Sequence, residues 1–126
     1  MIKDHKHVVV SALVNKTFDS PEHLADWLRR IIEGIGMTVA DLPHNPQAFY
    51  CTDHDNTGYT GTAILVTSHC AVHMWDAVFP HKLEFDLYSC SDFSQDQILE
   101  YIKELDIVKC DVLYLDRSVT AELDYE

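Results

Sequence analysis

The sequence predicts an α+β fold, a two-layer sandwich with a mostly antiparallel sheet and helices on one face. Two observations predict it. Strand-like and helix-like segments follow one another in the order strand, helix, several strands, helix, strand. No glycine-rich phosphate loop follows a strand, so a dinucleotide-binding or P-loop fold is unsupported. The length of 126 residues fits one domain spanning residues 1–126.

The chain opens with a strand and an amphipathic helix. Residues 7–14 are rich in valine, which favours a strand. Ser20 is a suitable N-cap, Pro21 suits the first helical position, and Gly36 is a typical helix stop. The apolar residues between them recur at helical spacing and predict one buried face: Leu24, Trp27, Leu28, Ile31, Ile32 and Ile35.

The middle of the chain is predicted to be mostly strand. Residues 37–42 form a candidate short strand, and the polar stretch after them is loop-like with one short strand near Phe49. Residues 60–67 predict a strong strand, and residues 69–75 either continue it or pair with it across a sharp break. Residues 83–90 alternate apolar and polar side chains, which indicates a strand with one wet face.

A second helix and a last strand complete the prediction. Ser94 and Gln97 form a capping box, which marks the start of a helix. Residues 110–115 predict the final strand. The helical residues expected to face inward are Ile98, Leu99, Ile102 and Leu105.

The composition excludes several classes of partner. The net charge is -12 at pH 7, and such an acidic surface repels nucleic acid and anionic membranes while attracting cationic small molecules. The apolar run near the N-terminus is interrupted by Ser11 and is too short for a signal peptide or membrane span, so we expect a cytoplasmic protein. The four cysteines lack a CxxC pair, so we expect reduced thiols.

The stretch TSHCAVHMW, residues 67–75, crowds a serine, two histidines and a cysteine into one strand-like segment. Zinc is disfavoured, and no metal is expected, because histidines four residues apart suit a helix and lie about 13 Å apart on a strand. A hydrolytic Ser–His pair lacks the GxSxG elbow. If the stretch has no chemical role, Ser68 and His73 are polar strand residues, and Cys70 and Cys90 fill the core.

Residues 58–90 resemble the signature of the short prokaryotic, pyruvoyl-dependent S-adenosylmethionine decarboxylase family. That signature combines G-V-(S/T)-G, an apolar strand, E-S-H-x-x-I-H-T-W-P-E and D-x-F-T-C-G. The length of the chain and the order of its flanking elements also agree with the family. The matching positions are Gly58, Thr60, Gly61, Ser68, His69, His73, Trp75, Asp86 and Cys90.

The resemblance implies self-processing. In that family the serine attacks the carbonyl before it, the peptide bond becomes an ester, and elimination leaves a new chain that begins with a pyruvoyl group. By resemblance, Ser68 is the pyruvoyl precursor and the bond between Thr67 and Ser68 is broken. His73 takes the α-proton during the elimination, and Thr60 helps to polarise the attacked carbonyl.

The resemblance also implies the reaction and the partners. The pyruvoyl ketone forms a Schiff base with a substrate amine, carbon dioxide leaves, and Cys90 protonates the resulting carbanion. The implied substrate is S-adenosylmethionine, whose cationic sulfonium suits an acidic protein, and the implied pathway is polyamine (spermidine) biosynthesis. Family members of this size form homodimers, which predicts a four-layer αββα dimer.

Several positions depart from the family pattern. Thr67 replaces the glutamate before the serine, and Trp75 is followed by Asp76 and Ala77 where the family has Pro-Glu. Ser91 replaces the glycine after the cysteine. We expect Trp75 and Asp76 to contact the substrate, with Asp76 at the ribose hydroxyls.

These departures leave two alternatives open. One is a pyruvoyl enzyme that decarboxylates ornithine or arginine, with Glu84 or Asp86 meeting a second cationic group of the substrate. The other is an unprocessed, non-catalytic relative that binds a ligand or regulates a partner.

Overall fold

The structure, a computed structural model, describes residues 5–117 of the chain. Its elements in chain order are β1 (Lys6–Val14), α1 (Pro21–Gly34), β2 (Gln47–Cys51), β3 (Gly58–Leu65), β4 (Ser68–Trp75), β5 (His81–Ser89), α2 (Gln95–Ile102), a 3-10 turn (Lys103–Leu105) and β6 (Ile107–Asp116). The strands form one sheet in the order β2-β3-β4-β5-β1-β6, and every neighbouring pair is antiparallel. Both helices pack into one core on one face of the sheet, so the α+β prediction is confirmed.

Helix α1 begins and ends as its sequence predicts. The Ser20 hydroxyl accepts a hydrogen bond from the His23 amide at 3.0 Å, which satisfies one free N–H of the first turn. At the other end Gly36 takes a left-handed φ of 85°. The Met37 amide then donates to the Ile32 carbonyl at 2.9 Å, as in a Schellman motif.

The core lies between α1, α2 and alternate residues of the strands. Gly61 of β3 lets α1 approach closely, because a Cβ at this position would lie 2.9 Å from Leu24 Cδ2 and 3.1 Å from Leu28 Cδ1. The predicted apolar face of α1 is buried as expected. The largest fully buried side chains include Trp27, Phe85, Leu24, Leu28, Ile31, Ile32, Met74, Leu83 and Leu87.

Helix α2 starts with the predicted capping box. The Ser94 hydroxyl accepts from the Asp96 amide at 3.1 Å, and the Gln97 side chain accepts from the Ser94 amide at 3.0 Å. Ile98 and Ile102 are fully buried, as predicted from their spacing. Among residues 5–117, neither helix combines the length and the apolar composition needed to cross a membrane.

The strand predicted over residues 37–42 is wrong. This segment makes a single bridge, Val39 to Leu65, along the outer edge of β3. The Ala40 amide donates to the Ile64 carbonyl and the Val66 amide to the Thr38 carbonyl, both at 3.0 Å. The Asn45 side chain then interrupts the pairing, since it accepts from the Ile64 amide at 3.0 Å and donates to the Ala40 carbonyl at 2.9 Å, two groups that would pair with each other in a continued strand.

Two strand boundaries also differ from the prediction. The last strand begins at Ile107, three residues before the predicted start at Cys110. β3 ends at Leu65, so Thr67 lies in a turn and not in a strand. The segment after it pairs with β3 and does not continue it.

The second face of the sheet has no helix in the described part of the chain, and we call it the open face. Alternation along the strands places Thr60, Ala71, His73, Glu84 and Asp86 on it. Its large exposed apolar side chains are Phe49, Ile64, Leu113 and Leu115, which are 41–57% exposed. A monomeric protein rarely leaves an apolar surface of this kind in water.

Gly58 at the start of β3 yields a test of the fold. Its φ is 151°, and a Cβ there would lie 1.7 Å from the Met74 carbonyl oxygen. Gly58→Ala is expected to lower the free energy of unfolding by about 3 kcal/mol or more, because backbone must move to relieve the clash. Gly36→Ala is the control, since that position opens to solvent and costs about 1 kcal/mol for its positive φ alone. Urea unfolding of the two variants measures the difference, and equal losses would contradict the argument.

Candidate active site

The turn between β3 and β4 contains a strained residue. Leu65 pairs with Ser68, so Val66 and Thr67 form a two-residue turn. Thr67 has a φ of 66°, a left-handed conformation that is costly for a β-branched side chain, by about 1–3 kcal/mol. The peptide bond between Thr67 and Ser68 follows directly on this strained residue.

Cys90 lies against that peptide bond. Its backbone amide donates to the Ser68 hydroxyl oxygen at 3.2 Å, and its thiol donates to the Thr67 carbonyl oxygen at 3.2 Å. Strand β5 ends at Ser89, and Cys90 is the next residue. The end of β5 therefore brings Cys90 beside the start of β4. The structure therefore brings together Thr67, Ser68 and Cys90.

The two cysteines near this site have different environments. Cys70 is 1% exposed in the core, and burial raises the pKa of its thiol well above the ordinary value. Cys90 is half-buried and its thiol reaches the turn. The core-filler interpretation thus holds for Cys70, while Cys90 is placed to exchange a proton with groups at Ser68.

Thr60 and His73 form a second pair on the open face. They lie directly opposite each other across β3 and β4, and Thr60 Oγ1 is 3.1 Å from His73 Nδ1. His73 is five residues from Ser68 along β4, a separation of roughly 17 Å. An odd number of residues also directs the two side chains to opposite faces. Within one chain, the structure does not bring Ser68 together with Thr60 and His73.

A cleft of about 210 Å³ adjoins this second pair. Trp75 lines it, and its ring nitrogen donates to the Asn56 side-chain oxygen at 3.5 Å. Asp76 follows directly and accepts a hydrogen bond from the Tyr50 hydroxyl at 3.1 Å. The pKa of Tyr50 is raised by desolvation and then by this bond. Trp75 and Asp76 thus lie at the same end of the sheet as His73.

The carboxylates of β5 on the open face have partners within the chain. Glu84 accepts from Ser11 at 3.0 Å and forms an ion pair with Lys82 at 3.1 Å. Asp86 lies 3.3 Å from His7 Nε2. In the described part of the chain, no group of three or more histidine, cysteine or acidic side chains is arranged to hold a metal ion.

Tyr88 lies beside Cys90, and His5 lies beside Tyr88; the sequence analysis missed both residues. The Tyr88 hydroxyl is 3.7 Å from Cys90 Sγ and 2.8 Å from His5 Nδ1. The alternation of β5 offered a signal for Tyr88, because it shares the phase of Asp86 and Cys90. No sequence pattern indicates that His5 reaches this site.

Comparisons with known proteins identify the family. The family profile of S-adenosylmethionine decarboxylase matches residues 6–118. The chain belongs to the S-adenosylmethionine decarboxylase family. The crystal structure of the adenosylmethionine decarboxylase from Aquifex aeolicus superimposes with a TM-score of 0.68 at 18% identity, covering 93% of this chain and 92% of that chain. No curated protein sequence matches significantly.

The S-adenosylmethionine decarboxylase family match confirms the resemblance found in residues 58–90. At 18% identity, the similar structure supports the shared fold alone. Two of the signature glycines have a structural explanation in this chain: Gly58 avoids the Met74 carbonyl and Gly61 admits α1. The chemical roles of the signature side chains are proposals, which the arrangement described above supports.

The strain at Thr67 is testable in the uncleaved chain, held as Ser68→Ala. Thr67→Gly is expected to raise the free energy of unfolding by about 1 kcal/mol, because glycine adopts a positive φ without a steric penalty. Thr62→Gly, in the neighbouring strand β3, should lower it by about 0.5–1 kcal/mol. Urea denaturation measures both, and destabilisation by Thr67→Gly would show that the turn is not strained.

Proposed function

We propose that this chain is a self-processing, pyruvoyl-dependent decarboxylase of S-adenosylmethionine that works as a cytoplasmic homodimer in polyamine (spermidine) biosynthesis. One observation supports this most strongly. Thr67 has a strained φ of 66°, and its carbonyl oxygen accepts a hydrogen bond from the Cys90 thiol at 3.2 Å, next to the hydroxyl of Ser68. This is the carbonyl that the serine attacks in the proposed cleavage.

The cleavage follows from these contacts. Ser68 Oγ attacks the carbonyl carbon of Thr67, and the Cys90 thiol stabilises the negative charge that develops on the carbonyl oxygen. The C–N bond breaks, so the peptide becomes an ester. A base then removes the α-proton of Ser68, the carboxylate of Thr67 leaves, and loss of ammonia with uptake of water leaves a pyruvoyl group at residue 68.

The base is supplied by a second copy of the chain. His73 is hydrogen-bonded to Thr60 at 3.1 Å but lies roughly 17 Å along β4 from Ser68 in the same chain. A two-fold axis between two open faces that reverses the strand direction would place the His73 end of one β4 over the Ser68 end of the other. His73 then has to reach the α-proton on the Ser68 backbone and not the Ser68 side chain, which points to the other face. Each site then takes Ser68 and Cys90 from one chain, and Thr60 and His73 from its partner.

The open face has the properties of such an interface. Phe49, Ile64, Leu113 and Leu115 together expose apolar area on it, and the helices cover the opposite face. Stacking two open faces buries this area and produces four layers in the order αββα. The proposed homodimer therefore buries the exposed apolar surface and completes each divided site.

The residues around position 68 fit a pyruvoyl group. Such a group supplies an electrophilic ketone that accepts a substrate amine and takes up the electron pair released with carbon dioxide. Cys90 places a backbone amide and a thiol beside residue 68. The thiol is positioned to donate its proton to the substrate carbon that has lost carbon dioxide.

The cleft at Trp75 supports S-adenosylmethionine as the substrate. Asp76 is oriented there by the Tyr50 hydroxyl, and a carboxylate is well suited to bind the two hydroxyls of a ribose. A basic amino acid would instead need a carboxylate for its second cation. Glu84 and Asp86 already have Lys82 and His7 as partners, which favours the nucleoside substrate.

The processing proposal predicts a specific pattern of complementation. The purified chain should yield fragments 1–67 and 68–126, the second blocked at its N-terminus by pyruvate. Ser68→Ala and His73→Ala should each remain intact when expressed alone. When the two are co-expressed in equal amounts, up to about half of the chains that retain Ser68 should be cleaved. Random pairing places about half of those chains in mixed dimers. Intact mass spectrometry measures the cleaved fraction.

A matched control separates the two ends of the site. Cys90→Ala acts on the Ser68 of its own chain, so co-expression with Ser68→Ala should restore no cleavage. Rescue of Cys90→Ala, or cleavage of His73→Ala alone, would contradict the proposed division. An intact parent chain after long incubation would favour the unprocessed relative.

The substrate proposal is tested by carbon dioxide release from S-adenosylmethionine, ornithine and arginine, measured side by side. Release from S-adenosylmethionine is expected to exceed that from either amino acid by orders of magnitude in kcat/KM. Asp76→Ala should raise KM for S-adenosylmethionine about tenfold or more, because hydrogen bonds to a charged group are lost. Asp26→Ala, on the helix-covered side, is the control. Release only from ornithine or arginine would reject the substrate and retain the pyruvoyl mechanism.

A further inference from the structure

A continuous chain of polar contacts leads from the scissile carbonyl to His5. The Cys90 thiol donates to the Thr67 carbonyl at 3.2 Å, the Tyr88 hydroxyl lies 3.7 Å from Cys90 Sγ, and His5 Nδ1 lies 2.8 Å from the Tyr88 hydroxyl. Tyr88 stands where the family signature has phenylalanine. The hydroxyl in this chain is therefore an addition to the family pattern.

Basic side chains from several elements face Tyr88. The guanidinium of Arg117, just after β6, lies 4.8 Å from the ring centroid. The rings of His69 on β4 and His7 on β1 lie 5.6 Å and 6.2 Å away, and His7 contacts Asp86. These groups surround Tyr88 with donors in a protein whose net charge is -12.

We propose that Tyr88 is a positioning residue for Cys90, and that Tyr88 and His5 together return a proton to the Cys90 sulfur after each turnover. The second part rests on the proposed decarboxylation. The first part concerns hydrogen bonds that exist before the chain is cleaved, so it is testable without substrate.

The proton balance of the relay is complete. When Cys90 protonates the substrate carbon, an S–H bond breaks, a C–H bond forms and a thiolate remains. The Tyr88 hydroxyl gives its proton to Sγ while its oxygen receives a proton from His5 Nδ1, and His5 Nε2 takes up a proton from water in the same step, so no imidazolate forms. Exchange with water then returns the ring to its starting tautomer. The net result is one proton from solvent for each proton given to product.

The ionisation of Tyr88 suits a hydrogen-bond donor to Cys90. Its pKa is raised, with the hydrogen bond to Cys90 as the largest cause, so the phenol stays protonated beside a thiolate and gives up its proton only as His5 replaces it. A phenylalanine at this position would leave the thiolate without that donor. Loss of one hydrogen bond to a charged group costs roughly a tenfold change in an equilibrium.

The test alkylates Cys90 in the uncleaved Ser68→Ala chain with iodoacetamide across pH 6–10, with peptide mass spectrometry as the readout. In Tyr88→Phe, the midpoint for Cys90 should move up by about half to one pH unit, and the rate near pH 7.5 should fall about 3–10-fold. Tyr114→Phe is the control, because it removes a hydroxyl from the helix-covered face. Cys51 is an internal reference in each sample.

Turnover of the processed protein with S-adenosylmethionine tests the relay. Tyr88→Phe and His5→Gln should each lower kcat about tenfold with little change in KM, and His5→Gln should leave the Cys90 alkylation profile near that of the parent. Unchanged alkylation in Tyr88→Phe would overturn the positioning role. Shifted alkylation with unchanged kcat would overturn the relay. If no substrate releases carbon dioxide, the proposed function fails, and the alkylation comparison still decides the role of Tyr88.

Discussion

The register of the β3–β4 hairpin is the constraint on which the candidate site depends. A two-residue turn pairs Leu65 with Ser68, and the same register sets Thr60 opposite His73. Because side chains alternate between faces, a slip of one residue would send His73 into the core and Cys70 into water. At the other end of the hairpin, Gly58 permits the same register, because it has no side chain to clash with the Met74 carbonyl oxygen.

The sequence predicted the parts of this protein whose causes are local. Ser20 and the capping box at Ser94 start helices because each side chain satisfies backbone groups a few residues away. The strand expected over residues 37–42 is interrupted by a side chain from outside it, that of Asn45, which lies between the Ile64 amide and the Ala40 carbonyl. Local propensity cannot reveal that a side chain will replace a strand partner.

The candidate site shows the same limit. Family resemblance named Ser68, His73 and Cys90, but their spatial relations depend on pairings between distant segments. Whether residues 69–75 continued the preceding strand or folded back was undecided from the sequence, and that choice sets the pairing of Thr60 with His73. The contact of Cys90 with Thr67 needs the pairing of β4 with β5 as well.

In the proposed mechanism, strain and a polarised carbonyl are insufficient to cleave the chain, which is compatible with a site divided between two chains. The φ of Thr67 costs about 1–3 kcal/mol, which changes a rate by about fivefold to 150-fold. Elimination also needs a base at the α-proton of Ser68, and His73 of the same chain lies roughly 17 Å away. Under the proposed mechanism, a newly folded protomer with a strained turn therefore persists until a partner binds. A β-branched threonine in place of the family's glutamate adds strain at the bond that we propose is broken, while in the same proposal cleavage itself requires assembly of the dimer.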